Sequence, residues 1–237
     1  MLEFVSETGS TNADLLQRLG RGEGIAEGHW LIADRQTGGR GRQGRKWSDG
    51  AGNFMGSTVV HVGLASPPAA SVALVAGLAV RSAVEPYISQ DKHLTLKWPN
   101  DVLVGGAKMS GILLERTGDS VVVGVGVNLV SAPALPDRQT CSIAEVGRSP
   151  DRDGFAAALA ASFQEELGRW RQYGLETLLQ RWEAVAHPIG TRLTVHEAGG
   201  QEISGEFSGL DPTGSLLLRL ADGTMRAIHA GDITLTR

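Results

Sequence analysis

The chain has 237 residues, 41% of them hydrophobic, with a net charge of -4 and one cysteine. That length and apolar content suit one large domain, or a medium domain plus a small module, around a buried core. The acidic balance argues against a dedicated nucleic-acid binder, and a lone thiol excludes an intrachain disulfide or a cysteine zinc cage, in keeping with a reducing cytoplasm.

The opening MLEFVSETGSTN lacks the basic and apolar regions of a secretory leader. Residues 10–20, STNADLLQRLG, predict a helix: the Ser/Thr/Asn cluster caps it, Leu15, Leu16 and Leu19 form the stripe, and Gly20 ends it. HWLIADRQ (29–36) and NFMGSTVVHVGL (53–64) read as strands on either side of a glycine-rich basic loop. The alanine-rich run from Ala69 predicts a buried helix that stops at Pro86, too short and too mildly apolar to span a bilayer. Residues 93–130 predict three strands, with Gly105-Gly106 and Thr117-Gly118-Asp119 as hairpin signals. From a Ser-Pro start at residue 149, Phe155, Leu159, Phe163, Leu167 and Trp170 draw one stripe along a long helix, and a second helix covers 175–186. At His187-Pro188 the pattern changes to short β-like runs with turns at Gly199-Gly200, Asp211-Pro212 and Asp222-Gly223, the signature of a small closed barrel. The predicted boundary separates residues 1–186 from 187–237.

GGRGRQGRKW (38–47) is the most unusual stretch. Its glycines let backbone N–H groups converge on an anion, and Arg40, Arg42 and Arg45 add planar forks for phosphate or carboxylate oxygens. Trp47 either stacks on a flat ring or packs in the core, the commoner fate. The segment lacks the GxxxxGK[ST] pattern of a phosphate-binding loop, and strand rather than helix follows it. Lys97 in KWPNDVLV and Lys108 in KMSGILLE each stand at a strand edge or turn, so their ammonium groups can be held rather than left in solvent. Cys141 reads as a small buried residue. Neither a Ser/His nor a Cys/His nucleophilic set stands out.

STN (10–12), GRGRQGRKW (39–47), KWPND (97–101), KMSGILLE (108–115) and GVGVNL (124–129) occur in this order, and together they resemble the biotin–protein ligase family, biotin–[acetyl-CoA-carboxylase] ligase, over nearly the whole chain. The resemblance implies an α+β fold, a mixed β-sheet flanked by helices and related to class II aminoacyl-tRNA synthetases, with a C-terminal SH3-like barrel. It implies a cytoplasmic ligase that joins biotin to ATP as biotinyl-5′-AMP and passes biotin to one lysine of the biotin carboxyl carrier domain, with Mg²⁺ arriving on the triphosphate and no metal ligands of its own. By the same resemblance Ser10, Thr11 and Gln36 face biotin's ureido ring, with Asn12, Arg40, Gly41, Arg42, Lys108 and Gly111 completing the biotin site. Arg42, Arg45, Trp47, Lys97, Asn100, Asp101 and Asn128 take the nucleotide side. Lys108, Arg40 and Arg42 carry the charge of catalysis.

Some members of that family add a DNA-binding winged helix before the STN element; here that element starts at residue 10, so a ligase without a DNA partner or a membrane association is expected, as monomer or homodimer. A lipoate–protein ligase on the same fold is the nearest alternative, and a nucleic-acid binder using the arginine loop is a remoter one.

Overall fold

The computed structural model describes residues 1–197 and 201–235. The Gly199-Gly200 turn lies outside the described residues. The chain builds two sheets. The larger has seven strands: β1 (Leu2–Thr8), β2 (Trp30–Gln36), β3 (Phe54–His61), β4 (Leu94–Lys97), β5 (Asp101–Val104), β6 (Ala107–Thr117) and β7 (Ser120–Val127), in the spatial order β1-β2-β3-β7-β6-β5-β4. Only the β1–β2 pair is parallel, so the sheet is mixed. The smaller sheet is antiparallel, with strands β8 (Arg192–His196), β9 (Glu202–Leu210), β10 (Leu216–Arg219), β11 (Met225–Ile228) and β12 (Asp232–Leu235) in the order β11-β10-β9-β8-β12.

Helix α1 (Thr11–Gly20) lies on one face of the large sheet, where Leu15 packs with Leu31, Val59 and Val122. Ser10 takes the extended N-cap backbone but makes no side-chain cap bond, so the anticipated capping fails. On the opposite face, α2 (Val72–Val84) and α4 (Arg152–Glu183) enclose the main core with Phe54, Val123, Val125 and Ile112. A third helix, α3 (Ile143–Val146), is a single turn with a Ser142/Glu145 capping box. The Ala69–Tyr87 segment, at 19 residues and mean hydropathy 1.3, does meet the bare requirements of a membrane crossing. The stated shortness was therefore wrong. Its burial, 67% of the window, is what marks it as a core helix.

Three further sequence expectations change. β1 was not anticipated; its side chains are half-exposed at the sheet edge, which blurs the apolar alternation. Residues 93–130 form four strands, because Trp98-Pro99-Asn100 turns the chain between β4 and β5. The long helix starts at Asp151, whose carboxylate accepts from the Gly154 N–H at 2.8 Å, rather than at Ser149-Pro150. Gly174, at φ 75° and ψ -171°, breaks α4 into the two arms that the sequence had drawn as two helices. The arms are tied by Arg181, whose guanidinium grips the buried Glu166 at 2.5 and 2.7 Å.

The smaller sheet sits against the larger unit. Trp98 Nε1 donates to Gly214 O at 3.1 Å, and Leu210 N donates to Glu183 Oε1 at 2.5 Å. Leu193, Phe207, Leu216 and Ile228 extend the main core across this seam.

Candidate active site

The site begins with an alternation on β7. Successive side chains of a strand point to opposite faces, so Val122, Gly124 and Gly126 share one face. Val122 is covered by α1, but the chain then substitutes hydrogen atoms for side chains and leaves a hollow. Gly111 on β6 pairs with Gly126, and Ser57 on β3 pairs with Gly124, so both lie on the same floor. The result is a cavity of about 1150 Å³. The two β7 glycines are required there: a Cβ on Gly126 would overlap the Trp47 indole, and one on Gly124 would overlap the Asn12 amide.

One end of the cavity is neutral and hydrogen-bonded. Thr11 N donates to Gln36 Oε1 at 2.8 Å. Thr11 Oγ1 lies 2.6 Å from Ser57 Oγ, Ser57 donates to Asn12 Oδ1 at 2.6 Å, and Asn12 Nδ2 donates to Glu115 Oε2 at 2.8 Å. Helix α1 begins at Thr11, so its first turn delivers these groups to the floor instead of capping itself.

The other end is ionic. β6 carries a bulge: Ser110 opposes Val102 and Lys108 opposes Leu103, leaving Met109 unopposed. The extra residue sends Met109 into the main core and turns Lys108 onto the pocket face with Gly111. Lys108 is thus set within a strand rather than before a turn at Ser110-Gly111, and its backbone is held by Gln139 O and Cys141 N at 2.8 and 3.0 Å. Its Nζ meets Asp101 Oδ1 at 2.6 Å, while Lys97 Nζ lies 3.4 Å from Asp101 Oδ2. Burial alone would raise the Asp101 carboxyl, but the Lys108 and Lys97 ammonium groups outweigh it and hold the pKa below the usual carboxylate value. Burial pulls Lys97 down, against the attraction of Asp101.

Over these ends runs the basic loop. Gly41 N donates to Arg45 O at 2.7 Å, and the turn between them places Gln43 and Gly44 at φ 56° and 72°. Arg42 reaches Asn100 Oδ1 at 3.2 Å, Gly231 O at 3.1 Å and Asp232 Oδ1 at 3.4 Å. Arg45 forms an ion pair with the same Asp232. Burial lowers the Arg42 pKa, yet the group stays charged across the ordinary pH range. Arg40 is exposed and makes no ion pair among the described residues.

All the sequence-selected residues, Ser10, Thr11, Asn12, Gln36, Arg40, Gly41, Arg42, Arg45, Trp47, Lys97, Asn100, Asp101, Lys108, Gly111 and Asn128, line this one cavity. Some are already engaged with protein. Asn100 Nδ2 donates to Ile112 O at 2.6 Å and Asn128 Nδ2 to Cys141 O at 3.1 Å. Trp47 is half-buried over Gly111 and Gly126, outside the core, so packing in the core was the wrong choice of its two readings. The Cys141 thiol is buried and pushed up to about 11, first by burial and then by Glu145, which removes it as a nucleophile at neutral pH. Sequence reasoning missed Ser57, Gly124, Gly126, Glu115 and Asp232. The glycines had a signal, since GVGV repeats with the period of a strand face.

The profile of the biotin/lipoate A/B protein ligase family matches residues 8–129, and that of the biotin protein ligase C-terminal domain matches residues 189–235. The chain is 38% identical to a biotin–[acetyl-CoA-carboxylase] ligase of Mycobacterium tuberculosis, across 100% of this chain and 89% of that protein. It is 35% identical to the enzyme of that name from Paracoccus denitrificans, across 91% and 93%. A structure of the biotin protein ligase of Aquifex aeolicus in complex with biotin and ATP superposes with a TM-score of 0.84 at 28% identity, covering 100% of this chain and 98% of the other.

Proposed function

The chain belongs to the biotin/lipoate A/B protein ligase family, and from that premise we propose that it activates biotin with ATP to biotinyl-5′-AMP and transfers biotin to a lysine of the biotin carboxyl carrier protein of acetyl-CoA carboxylase. One observation carries this reading. The cavity is neutral and hydrogen-bonding at the Thr11/Gln36 end, apolar along the glycine floor beneath Trp47, and cationic at Lys108. Biotin has that sequence of parts: an uncharged ureido ring, an aliphatic chain and a carboxylate.

Lipoate shares the carboxylate and chain, but its dithiolane ring has nothing to offer Thr11 or Gln36. Burying the free Gln36 NH₂ group without a partner costs about 1–3 kcal/mol. The neutral end therefore favours biotin within a family that serves both acids.

In the first half-reaction two anions must meet. Lys108, pinned on its bulge and against Asp101, holds a cation where the biotin carboxylate attacks the α-phosphorus of ATP and pyrophosphate leaves. Arg42 lies between Asn100 and Asp232, from which its fork can turn to the α-phosphate. Arg40 faces outward and supplies charge as the loop folds over the adenylate, keeping water from the mixed anhydride. Lys97, Asn100, Asp101, Arg45 and Asn128 form the nucleotide side. In the second step the acceptor lysine attacks the biotinyl carbonyl and AMP departs. No group of three acidic, histidine or cysteine residues able to hold a metal occurs among the described residues. Mg²⁺ would enter on the triphosphate, where it would neutralise phosphate charge, and no residue of the chain is assigned to it.

The same reading divides the chain into a catalytic unit (1–186), with the sheet of class II aminoacyl-tRNA synthetases, and an SH3-like barrel (187–237), and places the enzyme in the cytoplasm without a DNA partner. The change of sheet after α4 and the C-terminal family match support the division. The free buried thiol supports the compartment.

The test supplies purified protein with biotin, ATP and Mg²⁺. Biotin-dependent pyrophosphate release, followed by a streptavidin-reactive carrier domain once that domain is added, is the expected result. Neither adenylate nor labelled carrier would overturn the assignment.

A further inference from the structure

Glu115 lies behind the neutral end of the cavity and does not line it, yet it terminates the hydrogen-bond chain there. The donor and acceptor sense of that chain follows from chemistry at its two fixed ends. An ionised carboxylate only accepts, so the atom of Asn12 facing Glu115 at 2.8 Å is the NH₂ group. Its oxygen then faces Ser57, which gives its one proton to it at 2.6 Å. With that proton committed, the 2.6 Å contact between Ser57 and Thr11 takes the Thr11 proton in preference to the longer contact from Thr11 Oγ1 to Gln36 Oε1, at 3.2 Å. Thr11 Oγ1 therefore has lone pairs left to offer. At the other fixed end, a backbone N–H only donates, so Gln36 turns its oxygen to Thr11 N and keeps its NH₂ group available. Thr11 and Gln36 thus present an acceptor and a donor side by side at the cavity wall.

We propose that Glu115 is a positioning residue that fixes this donor–acceptor order and thereby sets specificity for a cyclic urea, whose adjacent N–H and C=O are its complement. The proposal rests on the biotin reading above. Without Glu115 the Asn12 amide is free to turn over. Ser57 would then accept from Asn12 and donate to Thr11, and the Thr11 proton would be released to turn to the ligand or to Gln36 Oε1, 3.2 Å away, so the acceptor is no longer fixed. Gly124 leaves room for the Asn12 amide on the floor, and the Leu113 carbonyl, at 3.5 Å from Asn12 Nδ2, is too distant to hold the orientation alone.

The experiment compares biotin with its two cyclic carbamate analogues, in which one or other ureido N–H is replaced by oxygen, by calorimetry on the full chain. Wild type should bind biotin and reject at least one analogue. In Glu115→Ala the preference for biotin over that analogue should fall about tenfold or more. Glu115→Gln, which can face Asn12 with oxygen or NH₂, should fall between the two. Ser57→Ala cuts the same chain at a different link and should give the same loss, which keeps the test decisive if Glu115→Ala does not fold. Parallel weakening of biotin and analogue, with the preference unchanged in all three variants, would overturn the proposal and leave Glu115 a structural residue. Absence of biotin binding by wild type would instead sink the function assignment on which it rests.

Discussion

At one end of the cavity Thr11, Ser57, Asn12 and Gln36 exchange neutral hydrogen bonds with Glu115 behind them, whereas at the other Lys108 and Lys97 hold their ammonium groups within 3.4 Å of the Asp101 carboxylate. Neutral bonds are directional and short-ranged, so that end responds to the order of donors and acceptors in a ligand. Full charges act over distance and sum, so the ionic end responds to how much negative charge gathers there. On the proposed function, the neutral end selects the molecule and the ionic end makes it react. Each is also built differently: the first on a helix start and two strands, the second on a strand bulge and the turn between β4 and β5.

If the two ends are separable, removing charge from one should leave the selectivity of the other intact. Lys108→Gln should depress adenylate formation about a hundredfold, corresponding to about 3 kcal/mol, while transfer from supplied biotinyl-5′-AMP suffers less and the preference for biotin over its carbamate analogues stays where it was. Separate measurement of the half-reactions checks this. Equal losses in both would make Lys108 scaffold and move the charge to Arg40 or Arg42.

Arg42→Gly removes a fork shared between the loop, Asn100 and Asp232. Adenylate should leave about tenfold faster, with biotin affinity changed far less, and released adenylate should label bystander lysines. A chase with unlabelled biotin reads the off-rate, and a wild-type rate would remove Arg42 from the adenylate.

The smallest effect tests where the ionic end stops. His187, at the seam between the two sheets, is buried with its Nε2 unpartnered among the described residues. Burial, aided by Lys97, pulls its pKa down from 6.5 to about 4. The unfolded chain therefore binds a proton between those values that the folded one refuses, and stability falls as pH drops through that window. Between pH 7 and pH 6 this group should cost about 0.7 kcal/mol, and His187→Leu should flatten that slope in thermal unfolding. An unchanged slope would place the pH dependence elsewhere.

The ionic end was far more legible in the sequence than the neutral end. Lys97, Asp101, Lys108 and the arginines fall in short, charged motifs whose neighbours are glycine and proline, so their purpose shows locally. Thr11 and Gln36 were found only through a family resemblance, since a threonine beside a helix start reads as a cap. Glu115 closes the apolar run ILLE, and nothing in that run marks it as the end of a hydrogen-bond chain. The strands flanking the basic loop were plain from their apolar runs, but Pro99 was not taken as the break that makes β4 and β5 separate strands. The bulge at Met109 gives no sign in the sequence, because it depends on the register of β5 against β6.

Asp232 anchors both Arg42 and Arg45 from a strand 190 residues after Arg42. That separation has a consequence during synthesis. A nascent chain that has emerged through β11 already contains the residues of the glycine floor, Lys108 and Asp101. Its basic loop, however, lacks the direct ion pairs with Asp232 until β12 leaves the ribosome. Arg42 and Arg45 thus acquire this shared ion-pair partner only in the final stage of translation, when the small sheet is completed.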